Sequence, residues 1–233
     1  MRPALAALVD DDIAAAVFEA SMASVVSLTA FRTEGREVVE EGVGSGVVWD
    51  RLGHIVSNYH CVARLAKDTT GQQATEVGIT GAGGTMRYPA RIVGLDPEKD
   101  LAVLRIDAPA ADLLPVKVGT SGDLRVGQTV FAIGNPSGLS HTLTAGVVSG
   151  LNRAIPSPGG TLTGGAIQTD AAINSGSSGG ALLDSSARLV GLSTATFTRR
   201  TQGARSSGVN FAIGVDVVRD RGVFLIGATG TVW

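Results

Sequence analysis

The sequence predicts an all-β chain of short strands arranged in two similar halves. Three observations carry this. Glycine is abundant, at 32 of 233 residues, while aromatic residues make up only 4%. Short strands joined by tight turns suit that composition better than long helices do. Short apolar and β-branched runs recur along the chain, punctuated by Gly, Pro, Asn and Asp. These runs fall into two sets of roughly six, separated by a stretch of weaker periodicity. The bulk numbers exclude several classes. The formal net charge of -2 argues against a nucleic-acid binder, which would usually be basic. Cys61 is the single cysteine, so no intrachain disulfide can form. No apolar run reaches membrane-spanning length, so no transmembrane segment is expected. No leader peptide is evident at Met1, and the chain reads as a mature or trimmed form.

Residues 1–22 are expected to form an N-terminal helical segment. Asp10, Asp11 and Asp12 favour a helix start, and Ile13, Ala16, Val17 and Ala20 recur at helical spacing. Residues 23–110 make the first β half. Ser24-Val25-Val26-Ser27-Leu28 reads as a strand, and the charged stretch 31–42 as a solvated loop. Residues 44–50 and 54–58 read as a hairpin turning at Arg51-Leu52-Gly53. Further strands are expected at 76–80, 91–95 and 101–106. Residues 111–125 are the expected linker. In the second half, 126–218, strands are expected at 128–133, 142–151, 166–169 and 181–183. A loop rich in Pro, Gly and Thr is expected at 156–165. Residues 188–197 read as a strand passing into a loop, made basic by Arg199, Arg200 and Arg205 and taken as solvated surface. The last clear strand is 209–213. The segment 219–233 has no sequence-based assignment.

The chemistry centres on Asn174-Ser175-Gly176-Ser177-Ser178-Gly179-Gly180. Such a Gly/Ser run is by itself ordinarily a turn. It becomes interesting because a serine hydroxyl at the tip of a tight loop can be flanked by converging amides that form an oxyanion pocket. A serine is a poor nucleophile until a base takes its proton. Three histidines are available. His54 opens a hairpin strand and reads as structural, His141 reads as an exposed loop residue, and His60 sits where a strand ends. A carboxylate must orient the imidazole. Asp100, just before the apolar run Leu101-Ala102-Val103-Leu104, is the best placed, with Asp96 and Asp107 as competitors.

Ser57-Asn58-Tyr59-His60, Asp100-Leu101-Ala102-Val103-Leu104 and Gly176-Ser177-Ser178-Gly179-Gly180 resemble, in this order, the three catalytic motifs of the HtrA/Deg proteases. The resemblance runs from about Val25 to Val217. It includes Gly44-Ser45-Gly46, Val93-Gly94-Leu95-Asp96 and Ala132-Ile133-Gly134-Asn135-Pro136. It is closest to the Deg proteases of the plant and algal thylakoid lumen that lack a PDZ domain. The resemblance implies a trypsin-like double six-stranded β-barrel with a short N-terminal helix. It implies Ser178 as nucleophile, His60 as general base and Asp100 as orienting carboxylate. The amides of Gly176 and Ser178, with Ser177 between them, would form the oxyanion hole. Ile173, Ala195, Thr196 and Phe197 would line the substrate pocket.

The same resemblance implies no cofactor and no metal, unfolded or damaged proteins as substrates, and a homotrimer or larger assembly. It also suggests a PDZ-bearing Deg protease as partner. The thylakoid lumen and photosystem II repair are the implied setting, with a periplasm-like compartment as the alternative. Ser175 and Ser177 replace the family's usual Pro and Asn, Cys61 an aliphatic residue, and Gly214 a Pro. No PDZ domain is expected after Asp216. Two rival readings stand beside the protease: an inactive scaffold subunit, and a β protein whose Gly/Ser loop holds an anion.

Overall fold

The structure, a computed structural model, describes residues 11–81, 83–135, 141–174, 176–194 and 208–227. Its strands close into two antiparallel barrels of six strands each. The first orders β1 (Val25–Glu34), β2 (Glu37–Val48), β3 (His54–Ser57), β6 (Leu101–Ile106), β5 (Gly84–Asp96) and β4 (Gln73–Gly81). The second orders β10 (Ala181–Leu183), β11 (Leu189–Thr194), β12 (Asn210–Gly214), β9 (Leu162–Thr169), β8 (Thr142–Pro156) and β7 (Thr129–Gly134). The expected all-β double barrel is therefore what the chain forms.

Strand alternation sorts the apolar residues into separate cores. Val26, Val48 and Ile55 point into the first barrel and pack with Val77 and Leu104. Their chain neighbours Val25, Val47 and Val56 face the other way. There they meet Phe131, Ile133, Leu183, Leu189 and Leu192, so the central cluster lies between the barrels. Val130, Val148, Ile167 and Leu182 fill the second barrel. Each fully buried valine or leucine contributes about 1.5–3 kcal/mol, so the boundary between barrels is a core in its own right.

The helix α1 (Asp11–Ser21) forms as expected, but of its apolar stripe only Val17 is fully buried, and Ile13 is 40% exposed. The stretch 31–42, expected as a solvated loop, is instead the outer part of the β1–β2 hairpin. Its residues project past the barrel, so the strands satisfy each other's backbone while their side chains stay wet. Arg32 pairs with Glu34 and Glu41, and Glu41 also pairs with Arg64 at 2.8 Å. Two further helices had no sequence-based expectation. α2 (Tyr59–Lys67) begins where β3 ends. α3 (Val215–Gly227) lies against β5, β6 and β11, with Val218, Leu225 and Ile226 buried in the inter-barrel cluster. A Cβ added at Gly94 would come within 2.7 Å of Leu225 Cβ, so helix and strand are in direct contact.

The chain passes between barrels through residues 107–128, which form a single parallel bridge, Val118 with Leu189. A second tie runs the other way. The β8–β9 hairpin tip reaches the turn after β5, where Gly159 N donates to Pro97 O at 3.0 Å and Thr163 Oγ1 donates to Glu98 O.

Candidate active site

The first barrel supplies an imidazole and a carboxylate. β3 runs into Asn58, whose extended backbone (φ -80°, ψ 145°) starts α2 and lifts His60 onto its first turn. Asp100 closes the β5–β6 turn with φ 54°, a left-handed conformation that Asp tolerates better than most residues. That conformation is held from outside: Asn58 Nδ2 and Tyr59 N both donate to Asp100 O, at 3.0 and 3.1 Å. The carboxylate, in a residue only 7% exposed, then accepts three bonds. His60 N donates to Oδ1 at 3.0 Å, and His60 Nδ1 lies 2.8 Å from Oδ2. Thr194 Oγ1, from β11 of the other barrel, donates to Oδ2 at 3.0 Å. Bonding at Nδ1 places the imidazole proton there and leaves Nε2 as the ring's acceptor.

Two opposed influences set the basicity of His60. Burial disfavours the imidazolium, but the Asp100 hydrogen bond and charge, together with the neighbouring Cys61 sulfur, outweigh it. The His60 pKa is therefore raised above the ordinary histidine value.

The second barrel supplies the loop before β10. Ser178, 4% exposed, sits with its carbonyl oxygen 2.8 Å from Ser45 N and 3.7 Å from Cys61 Sγ, beside the residue that follows His60. Close approach of backbones explains the glycines. Gly179 has φ 84°, and a Cβ there would fall 2.1 Å from Ser45 O. A Cβ on Gly134 would meet Ser177 Cα at 2.8 Å. Ser177 N donates to Asn174 O at 2.9 Å, and Gly179 N to Ser193 O at 2.7 Å. Among the described residues, the amides of Gly176 and Ser178 donate to no acceptor. Amide donors left over beside one serine are what a ligand oxygen can use. Ser177, grouped with these amides in the sequence reading, has its own N–H committed to Asn174.

Ile173 is buried in the second-barrel core with Leu124 and Val130. Ala195, Thr196 and Phe197, and the basic Arg199, Arg200 and Arg205, lie outside the described residues. His54 is buried and bonds Asp50 Oδ2 at 2.6 Å. His141, expected to be exposed, is half-buried: its Nε2 lies 2.6 Å from Val25 O, and Phe18 stands edge-on to its ring. Phe18 of α1 thus meets His141 just ahead of β8, a tertiary contact the local sequence does not show. Asn58 and Thr194, both holding Asp100, were not singled out. Asn58 was legible beside His60, whereas Thr194 comes from a distant strand. Among the described residues no cluster of three or more His, Cys, Asp or Glu could hold a metal. No hydrogen bond among them joins Ser178 Oγ to His60.

A trypsin-like peptidase domain model matches residues 44–192. Protease Do-like 5, chloroplastic, of Arabidopsis thaliana is 60% identical over 179 residues, covering 76% of this chain and 55% of that protein. The crystal structure of Deg5 superposes with a TM-score of 0.79 at 47% identity, covering 94% of this chain and 97% of that one. This chain belongs to the HtrA/Deg family of trypsin-like serine proteases. Protease Do-like 1, chloroplastic, from the same plant is 50% identical over 210 residues, covering 87% of this chain and 45% of its own length. A solved HtrA-type protease with a bound tripeptide matches at TM-score 0.74 and 32% identity, covering 91% of this chain and 63% of that chain. The Deg chain spans about half the length of the curated relatives it matches.

Proposed function

We propose that the chain is a serine endopeptidase acting on unfolded or damaged proteins through an acyl-enzyme. The observation that carries this reading is the pairing of His60 with Asp100 beside the buried Ser178, where the amides of Gly176 and Ser178 meet no acceptor among the described residues. Ser178 Oγ attacks the substrate carbonyl while His60 Nε2 takes its proton. The carboxylate of Asp100 stabilises the imidazolium, and the amides of Gly176 and Ser178 take the developing oxyanion. The imidazolium then protonates the leaving amine, and water, activated by the same imidazole, releases the acyl group. The Ser178–His60 bond absent at rest forms as substrate enters, because catalytic hydrogen bonds often tighten only in the complex. That same absence favours a second reading, a weakly active or inactive scaffold subunit.

The test is labelling with a fluorophosphonate and degradation of casein, with Ser178→Ala as control. Labelling at Ser178 and casein loss that Ser178→Ala abolishes establish the enzyme. An unlabelled, folded protein that still binds casein establishes the scaffold.

The setting is proposed more narrowly than the family. Chloroplastic Do-like relatives, with the resemblance to lumenal Deg proteases, favour the thylakoid lumen and photosystem II repair. Periplasmic DegP-like relatives favour the periplasm-like alternative. The proposed assembly is a homotrimer or larger, joined by a PDZ-bearing Deg protease that presents substrate chains. Ile173, Ala195, Thr196 and Phe197 are proposed to line the substrate pocket, with no cofactor taking part.

A further inference from the structure

Two motifs have no role in the chemistry above: Gly44-Ser45-Gly46 on β2 and Gly134-Asn135 at the end of β7. They converge on one side chain. Ser45 is fully buried, and each of its polar groups is used. Its Oγ donates to Gly176 O at 2.7 Å and accepts from Asn135 N at 2.8 Å. Its amide donates to Ser178 O at 2.8 Å, and its carbonyl accepts from Ser57 Oγ at 2.7 Å. An amide can only donate and a carbonyl can only accept, so the hydroxyl proton has one place to go, Gly176 O.

We propose that Ser45 is a positioning residue for the oxyanion hole, holding the two peptide planes on either side of the Ser178 amide. The Gly176–Ser177 plane is tied at its carbonyl by Ser45 Oγ and at its N–H by Asn174 O. The Ser178–Gly179 plane is tied at its carbonyl by Ser45 N and at its N–H by Ser193 O. Between them lies the plane that carries the Ser178 N–H. That plane is tied at its own carbonyl by Gly180 N at 3.0 Å, whereas Gly176, at φ 91°, has no side chain to restrict rotation of its own N–H against the plane that Ser45 Oγ holds. Asn135 completes the device by fixing the acceptor side of the Ser45 hydroxyl. One first-barrel serine thereby sets the direction of amides in a second-barrel loop.

This inference rests on the peptidase reading, and the test keeps the two apart. Parent and Ser45→Ala proteins are compared on an alanine-peptide ester and on its thionoester, in which sulfur replaces the carbonyl oxygen. Active sites are first counted with a fluorophosphonate. A formed hole favours the oxygen ester, because sulfur fits the amides poorly. In Ser45→Ala, kcat for the oxygen ester falls about 10- to 100-fold with KM nearly unchanged, and the preference for oxygen shrinks. A merely structural role lowers both rates together and leaves their ratio at the parent value, which would overturn the proposal. If Ser45→Ala does not fold, Ser45→Cys, a weaker donor of similar size, gives an intermediate ratio. A parent-like ratio there overturns the proposal equally. A parent that reacts with neither ester nor fluorophosphonate refutes the peptidase reading instead, and this inference with it.

Discussion

His60 shows most clearly how a residue's surroundings set its chemistry. Only the neutral imidazole can accept the Ser178 proton, and its raised pKa keeps the imidazolium populated to higher pH. Activity should therefore be low in acid and rise with pH, with an inflection in kcat/KM above the ordinary histidine value of about 6.5. Because the Cys61 sulfur contributes to the rise, Cys61→Ala should move the inflection to lower pH. An unmoved inflection counts against that cause. The stability sign is the opposite one. The His60–Asp100 pairing stabilises the fold fully below the unfolded histidine pKa and is lost as pH rises through the folded one. Thr194 offers a second measurement. Thr194→Val removes one of two bonds at Asp100 Oδ2 in the resting fold, so it should lower kcat and also cost about 1–3 kcal/mol of stability, read in urea denaturation. The pairing of His60 with Asp100 was legible because each sits in a distinctive local motif. Thr194 was not, because only the meeting of β11 with the β5–β6 turn gives it a partner.

At the scale of elements, the strands and α1 were legible from their periodicities, whereas α2 and α3 were not. The outer β1–β2 hairpin was missed because solvent covers both faces, and without a buried face the apolar period vanishes. α2 follows β3 after a single residue, so its apolar positions merged with the strand signal. α3 contains Gly222, a poor helix former, and its stability comes from docking rather than propensity. That docking is measurable. Leu225→Ala should destabilise the protein by about 2–5 kcal/mol in urea denaturation, because Leu225 packs tightly against Gly94 and leaves a cavity when truncated. A loss well under 1 kcal/mol would mean that α3 only rests on the surface.

At the scale of the molecule, specificity and assembly become testable. Ile173 is apolar, and its proposed companions Ala195, Thr196 and Phe197 carry no negative charge. Lysine or arginine would be desolvated there without a counter-charge. Casein fragments should end mainly in small or medium aliphatic residues, and mass spectrometry showing cuts chiefly after Lys or Arg would defeat the pocket assignment. Light scattering should report a trimer or a multiple of it, and mixing with a PDZ-bearing Deg protease should raise turnover. A strictly monomeric, fully active protein would argue against both.

The bonds Ser45–Gly176, Ser45–Ser178 and Thr194–Asp100 all cross from one barrel to the other. Neither barrel alone holds a complete reaction centre. A chain cut between the exposed residues Ala110 and Ala111 should yield two fragments that are each silent toward the ester. Co-expressed, they should find each other through the apolar face around Val47, Val56, Phe131 and Ile133 and recover hydrolysis as a noncovalent pair. In urea, turnover should vanish before the circular dichroism of the strands does, because separating the barrels is enough to dismantle the chemistry.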